Sequence, residues 1–382
     1  MLVDMHAHYP MHVLGEEGHA STHLHRWDAE RLRARVINLI SKVFNYEGPG
    51  DSPSVTMERI RDGQVGVVLS VLYLPFDEIS VGIEFGEGPG PAGPENLLHQ
   101  LKIVEDEIED HHHGVALVVR SRPDLDRARR DGLTAMVHCV EGGFALGAEA
   151  GQVERTVEAI ADRGVAYVTL AHLFWRRVAT NAPALPFLSD RWYHRLFRQP
   201  DQGLSPLGQV AVDALVRHRV LIDVTHMSRR SLDETLDRLD GNPAAGGVPV
   251  IASHAACDLG RGPEYNLSPE SIVRIARRGG VIALIDCAHY LAFKQARQPG
   301  NLDESVDALC RHIDLIAELT GGFDHVAIGS DLDGYIKPAL PGLKHMGQMG
   351  GLQARLHDRY GPEKAEKVCQ ANALRMLHYR FP

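Results

Sequence analysis

The chain has 382 residues, 40 basic and 50 acidic side chains, and 22 histidines. Its net charge of −10 argues against a nucleic-acid-binding surface, because gripping phosphates needs clustered Lys and Arg. With 44% apolar and 24% charged residues it has the balance of a globular protein, not a disordered or fibrous one. Met1 to His6 carries no basic stretch followed by a long apolar one, so no signal peptide is expected. No apolar run approaches the roughly 18 residues that span a bilayer. The five cysteines form no C-x-x-C pair, which fits a reducing compartment, and the expected location is cytoplasmic.

In chain order, apolar runs rich in Val, Ile and Leu occur at 2–5, 66–74, 134–140, 165–171, 220–225, 248–253, 281–286 and 325–330. Their near-continuous apolarity suits strands buried on both faces of a parallel sheet. A shorter run at 115–119 reads as an edge strand or part of a connection. Amphipathic stretches lie between them at 207–218, 228–239, from Ser268 onward, 303–319 and 362–377, several opening on a serine able to cap the first turn. Strand then helix, repeated about eight times, predicts an α/β fold. With no G-x-G-x-x-G or P-loop after any strand, a closed (β/α)8 barrel is favoured over an open sheet. The expected organisation is one barrel domain over residues 1–382, with long loops near 44–55, 81–94, 180–206 and 332–351. In the third of these, the pair Trp192-Tyr193 reads as core packing.

At least six of the eight runs finish in a histidine or a carboxylate: His6 and His8, Glu141, His172, His226, His254 and Asp331. In a β/α barrel those ends gather at one rim, where active sites lie. His6 and His8, two apart on a strand, point the same way. Imidazole and carboxylate donors suit zinc, with Mn²⁺, Fe²⁺ or Co²⁺ as competitors. His6, His8, Glu141, His226 and His254 are more ligands than one open site requires, so two ions sharing Glu141 is the simplest arrangement. Asp331 is then left to move protons. Asp333 shares its face, and parity does not choose between the two. His138 has the opposite parity to Glu141 and faces away. Asp223 lies three before His226, on the other face of a regular strand, and reads as a supporting residue. The glycines after Glu141 allow a close backbone approach, as a nearby ligand would require. His111-His-His113 follows an acidic helix and reads as a solvated helix end.

Taken together, Val140-Glu-Gly-Gly, Val168-Thr-Leu-Ala-His172, Leu221-Ile-Asp-Val-Thr-His226-Met-Ser, Pro249-Val-Ile-Ala-Ser-His254, His325-Val-Ala-Ile-Gly-Ser-Asp331-Leu-Asp-Gly and Asn372-Ala-Leu-Arg375 resemble the membrane (renal-type) dipeptidase family of the amidohydrolase superfamily. The resemblance implies a (β/α)8 barrel with two zinc ions bridged by Glu141, His6 and His8 on one and His226 and His254 on the other. It also implies substrate contact by His172, Asp331 rather than Asp333 as general acid/base, a dipeptide or related small amide as substrate, and a homodimer. The expected reaction is attack by a hydroxide held between the metals. The chain departs from the family pattern twice. His8 stands where the family has an Asp, removing one negative charge. Tyr265, before Asn266, stands where the family has an Arg for the substrate's carboxylate; Arg261, four residues earlier, is the cation offered in its place. These departures keep an amidohydrolase of other specificity (lactone, N-acyl amino acid or phosphoester) and a non-catalytic metal-binding barrel in view.

Overall fold

The computed structural model describes residues 1–18, 53–78, 93–260, 262–293, 295, 297–334 and 339–382. Nine parallel strands are present among them: β1 (Leu2–Ala7), β2 (Val65–Tyr73), β3 (Ala116–Val118), β4 (Thr134–Glu141), β5 (Tyr167–Thr169), β6 (Leu221–Asp223), β7 (Val250–Ala255), β8 (Val281–Leu284) and β9 (Val326–Ile328). Eight of them close a ring in the order β1-β2-β4-β5-β6-β7-β8-β9, with β9 pairing back onto β1. This is the expected (β/α)8 barrel. The short strand β3 pairs with Thr134 to Met136 of β4, while β5 pairs further along with Val140 and Glu141. The run at 115–119 is therefore an edge strand tucked beneath β5, not a ninth stave.

Two apolar layers hold the barrel together. Val3, Met5, Val67, Leu69, Val71, Val137, Cys139, Tyr167, Leu221, Ile251, Val281 and Ala327 pack as one cluster inside it. Their neighbours of opposite parity, such as Val68, Leu72, Val140, Val168, Ile222 and Ile282, pack outward against the helices. Helices Pro206–Arg217, Arg229–Asp240 and Pro269–Arg277 start as their serines dictate, with Ser205, Ser228 and Ser268 each accepting a first-turn amide. The stretch 362–377 is broken by a π turn at Lys367–Ala371 before helix Asn372–Arg380. That turn precedes Asn372, whose amide donates to the carbonyls of Phe323 and Val326, so the last helix plugs the barrel at its strand N-termini.

Of the four long loops, 44–52 and 81–92 lie outside the described residues, as do 335–338. The segment 180–206 is not all loop: it contains helix Asp190–Leu196. Trp192 on that helix is not core, being 56% exposed, whereas Tyr193 is fully buried. The helix turns Tyr193 inward, where its hydroxyl donates to the carbonyl of Leu173, and leaves Trp192 and Leu196 outside.

One feature of the sheet is invisible to simple alternation. Inside the barrel, β1 contributes Val3 and Met5, yet the predicted ligands His6 and His8 have the other parity. The register resolves this: Asp4 pairs with Val68 and Ala7 with Ser70, three steps against two. The same occurs in β7, where Ala252 pairs with Ile282 and Ala255 with Leu284. Each bulge inserts one residue and reverses the alternation beyond it, which turns His6, His8 and His254 to the inside. The bulge in β7 also pushes the Ser253 carbonyl across the barrel toward Gly329, where a Cβ would stand 1.8 Å from that oxygen. We expect Gly329→Ala to destabilise the fold by about 1–3 kcal/mol or more, because backbone must move to admit the methyl. A lowered urea midpoint checks this; an unchanged midpoint would show that the crowding is tolerated.

Candidate metal centre

The strand ends meet at one mouth of the barrel. Around Glu141, buried at the end of β4, stand His6 Nε2 at 3.5 Å, His8 Nε2 at 3.4 Å, His226 Nε2 at 3.6 Å, His254 Nε2 at 3.4 Å and His172 Nε2 at 3.5 Å. The imidazoles also pair among themselves: His6 and His8 face each other with Nε2 atoms 3.2 Å apart, and His226 and His254 at 3.0 Å. Asp331 Oδ1 lies 3.2 Å from His8 Nε2. The structure thus brings together every residue predicted to ligate metal, along with His172 and Asp331.

Local backbone aims two of these groups. Asp331 has φ of 55° and His226 φ of 65°, in the left-handed region that Asp and His enter more readily than most residues. The amide of Asp331 donates to the His6 carbonyl and that of His8 to Leu332, which straps the 331 turn onto β1. Asp333 goes elsewhere: it accepts from the amides of Ser54 and Val55 and meets His12 Nε2 at 2.9 Å. Of the two carboxylates, Asp331 is the one that faces the imidazole cluster. The close approach at the glycines is to protein, since a Cβ on Gly142 would strike the Phe144 ring and one on Gly143 the Leu170 carbonyl.

Behind the ring lies a buried polar network. Asp223 points into the barrel, contrary to the parity expectation, because β6 stops there and the left-handed turn at His226 breaks the alternation. Its carboxylate accepts from Thr169 Oγ1, Thr225 N and Oγ1, and Ser253 N and Oγ. Ser253 spends its one proton on Asp223, so its oxygen accepts from His254 Nδ1 (2.9 Å) and His6 Nδ1 (3.0 Å). The Tyr167 hydroxyl donates to the Met5 carbonyl and accepts from His6 Nδ1 at 2.8 Å. Both rings therefore carry Nδ1–H and present Nε2 lone pairs to the centre. Sequence reasoning missed Ser253 and Tyr167 in this role, although Ser253 stands beside His254 in the sequence.

The donor set fits divalent metal. Oε1 of Glu141 is buried without a hydrogen-bond donor among the described residues, although three imidazole nitrogens surround it. Burial pushes the Glu141 carboxyl up to about 7, and burial together with neighbouring imidazoles holds His226 and His254 well below the ordinary histidine range. Imidazole nitrogens and a carboxylate thus face one small volume, the kind of donor set that takes a cation. Separations of 3.0–3.6 Å between these atoms are close to the edge of a tetrahedron whose ligands lie about 2.0–2.1 Å from its centre.

The remaining predicted site residues fare differently. Tyr265 is buried, its hydroxyl donates to the His254 carbonyl, and its ring packs on His226 and Tyr290. It walls the site beside His226, with its hydroxyl proton committed to main chain. Asn266 donates through Nδ2 to the carbonyls of Cys257 and Tyr290 and so pins loops together. Arg261 lies outside the described residues. His138, as expected, faces outward; burial lowers it to about 4. His111 is exposed at its helix end.

Fold and centre together define a metal-dependent hydrolase built on a β/α barrel. The model of the membrane dipeptidase family (peptidase family M19) matches residues 2–379, and the chain belongs to that family. It is 25% identical over 361 residues to an uncharacterized dipeptidase of Schizosaccharomyces pombe, covering 90% of this chain and 76% of that one. It is 25% identical over 329 residues to dipeptidase tcpJ of Claviceps purpurea, covering 85% and 68%. Among solved structures, a metallopeptidase of Rhodobacter sphaeroides bearing a phosphinate mimic of the dipeptide L-Ala-D-Ala superposes with a TM-score of 0.71 at 16% identity, covering 100% of this chain and 99% of that one. The dipeptidase AC of family M19 gives a TM-score of 0.72 at 16% identity, covering 100% and 98%.

Because Ser253 orients a nitrogen of both histidine pairs, we expect Ser253→Ala to fold but to bind metal about 10–100-fold more weakly. Competition against a chromophoric chelator reads this, and unaltered affinity would remove Ser253 from the support of the centre.

Proposed function

We propose that the chain is a dipeptidase whose centre holds two divalent cations, zinc first among them, with Glu141 shared between them. His6 and His8 would hold one and His226 and His254 the other. The observation that carries this is the pairing itself: two facing imidazole pairs converge on the two oxygens of one buried carboxylate that receives no donor at Oε1. When bound, the cations supply a Lewis acid for the scissile carbonyl and make water more acidic.

The side chains of the protein do the rest. Asp331, at the rim beside His8, takes the proton of the attacking water and returns it to the leaving amine. His172 turns Nε2 toward the centre and donates to the carbonyl oxygen as charge develops there. Dipeptides lead the substrate class because the family is one of dipeptidases and a solved barrel of the same fold carries a dipeptide mimic. The commitment of the Tyr265 hydroxyl to the His254 carbonyl favours testing lactones, N-acyl amino acids and phosphoesters beside dipeptides. We further propose one barrel domain working in the cytoplasm as a homodimer. Trp192 and Leu196, exposed one turn apart, are offered for the contact. No helix among the described residues is long and apolar enough to cross a membrane.

Two outcomes test the reading. Purified protein should carry about two equivalents of divalent metal, and chelation should abolish hydrolysis of a dipeptide panel until zinc, manganese or cobalt is returned. Activity that survives complete metal removal would end the proposal. Asp331→Asn should keep its metal while kcat falls about 10²–10⁴-fold. Near-normal turnover in that variant would take Asp331 out of the mechanism.

A further inference from the structure

β2 was a strand without an evident chemical group at its end. It finishes at Tyr73, and the chain then makes a single helical turn, Pro75–Glu78. Glu78 is fully buried. Its Oε2 accepts from His172 Nδ1 at 2.6 Å and from the Tyr73 hydroxyl at 2.7 Å, and its Oε1 accepts from the amide of Phe174 at 3.0 Å. Arg176 does not pair with the carboxylate in these contacts; its Nε (3.0 Å) and Nη2 hold the Glu78 main-chain carbonyl. The His172 ring stands edge-on to Tyr73 and to His226, with centroids 4.5 Å away in each case. With Nδ1 taken by Glu78, the only nitrogen left to His172 is Nε2, which lies 3.5 Å from Glu141 Oε2.

We propose that Glu78 is the positioning residue of His172: by accepting Nδ1–H it fixes the tautomer and the ring plane, and so aims an Nε2–H donor at the reacting carbonyl. A buried carboxylate needs a strong partner, because an unpaired buried charge is costly. Filling the space or satisfying the Tyr73 and Phe174 donors would need only a neutral acceptor. A carboxylate set against the one imidazole that faces the centre without belonging to either facing pair is the arrangement by which a reacting histidine is oriented. The proposal rests on the reading of His172 as the donor to substrate.

The test is a pair of double-mutant cycles on the metal-loaded enzyme with a dipeptide it cleaves. Glu78→Gln and Glu78→Ala are each made alone and with His172→Ala, and kcat, KM and bound metal are measured for all. Glu78→Ala should lower kcat about 10²-fold with KM changed only a few-fold, and Glu78→Gln, which can still accept Nδ1–H, should recover much of that loss. In the His172→Ala background neither substitution should lower kcat further. A Glu78 substitution that costs the same factor with and without His172, or a Glu78→Ala enzyme with unaltered kcat, overturns the proposal. If Glu78→Ala does not fold, the Gln cycle decides alone on the same criterion. A fully active His172→Ala enzyme would instead overturn the reading of His172, and the role of Glu78 would fall with it.

Discussion

A carboxylate sealed inside a barrel with one oxygen receiving no donor is a costly thing to keep. Glu141 is in that position, and the groups around it do not relieve it. Burial drives His226 and His254 toward their neutral forms. His6 and His254 are turned by Ser253 so that lone pairs, not protons, face the carboxylate. His172 is lifted to about 9, since the Glu141 and Glu78 carboxylates together outweigh its burial, and its one positive charge is set against two carboxylates, Glu78 and Glu141. The centre is therefore short of positive charge by construction, and divalent cations are what such a donor set is chemically suited to accept. The membership of the chain in a metallopeptidase family agrees with this electrostatic argument, which is made without it.

The barrel produces that concentration of donors by irregularity as much as by symmetry. Parallel strands bring their C-terminal ends to one rim, but a regular β1 and β7 would direct His6, His8 and His254 into the helix layer. Two one-residue bulges reverse them. Left-handed backbone at His226 and Asp331 completes the ring from the strands on either side. Each device needs space: the bulged carbonyl of Ser253 occupies the position where Gly329 lacks a side chain. The packing of the inner cluster and the chemistry of the mouth are thus set by the same few residues.

How much of this was legible in the sequence follows from which signals are local. Strand ends could be read because a buried parallel strand is a continuous apolar run, and a His or acid closing such a run stands out. The residues that meet around Glu141 were found for that reason. Parity arguments succeeded for His138, on the regular strand β4, and failed between Asp223 and His226, where β6 ends and the left-handed turn brings both to the inside. Asp333 could not be separated from Asp331 by alternation, because the choice is made by a distant partner, the amides of Ser54 and Val55. Tyr265 and Asn266 were assigned to substrate by position in a motif, whereas their hydrogen bonds run to backbone. Glu78 left no trace in the pattern: it lies beyond its strand, and its importance comes only from meeting His172 across 94 positions of sequence.

The histidine at position 8 changes the charge balance of the mouth. With imidazole there, the carboxylates that approach the Nε2 cluster are Glu141 and Asp331 alone among the described residues. On the proposed reading Asp331 would thereby serve two purposes, as a proton acceptor and as the second negative charge facing cations at the centre. A carboxylate beside cations keeps its ionised form, which is the form that accepts a proton. The substitution that removes a charge from the ligand set thus places more of the electrostatic burden on the residue that moves the proton. Glu78 cannot share that burden, because its charge is already matched to His172 on the far side of the ring.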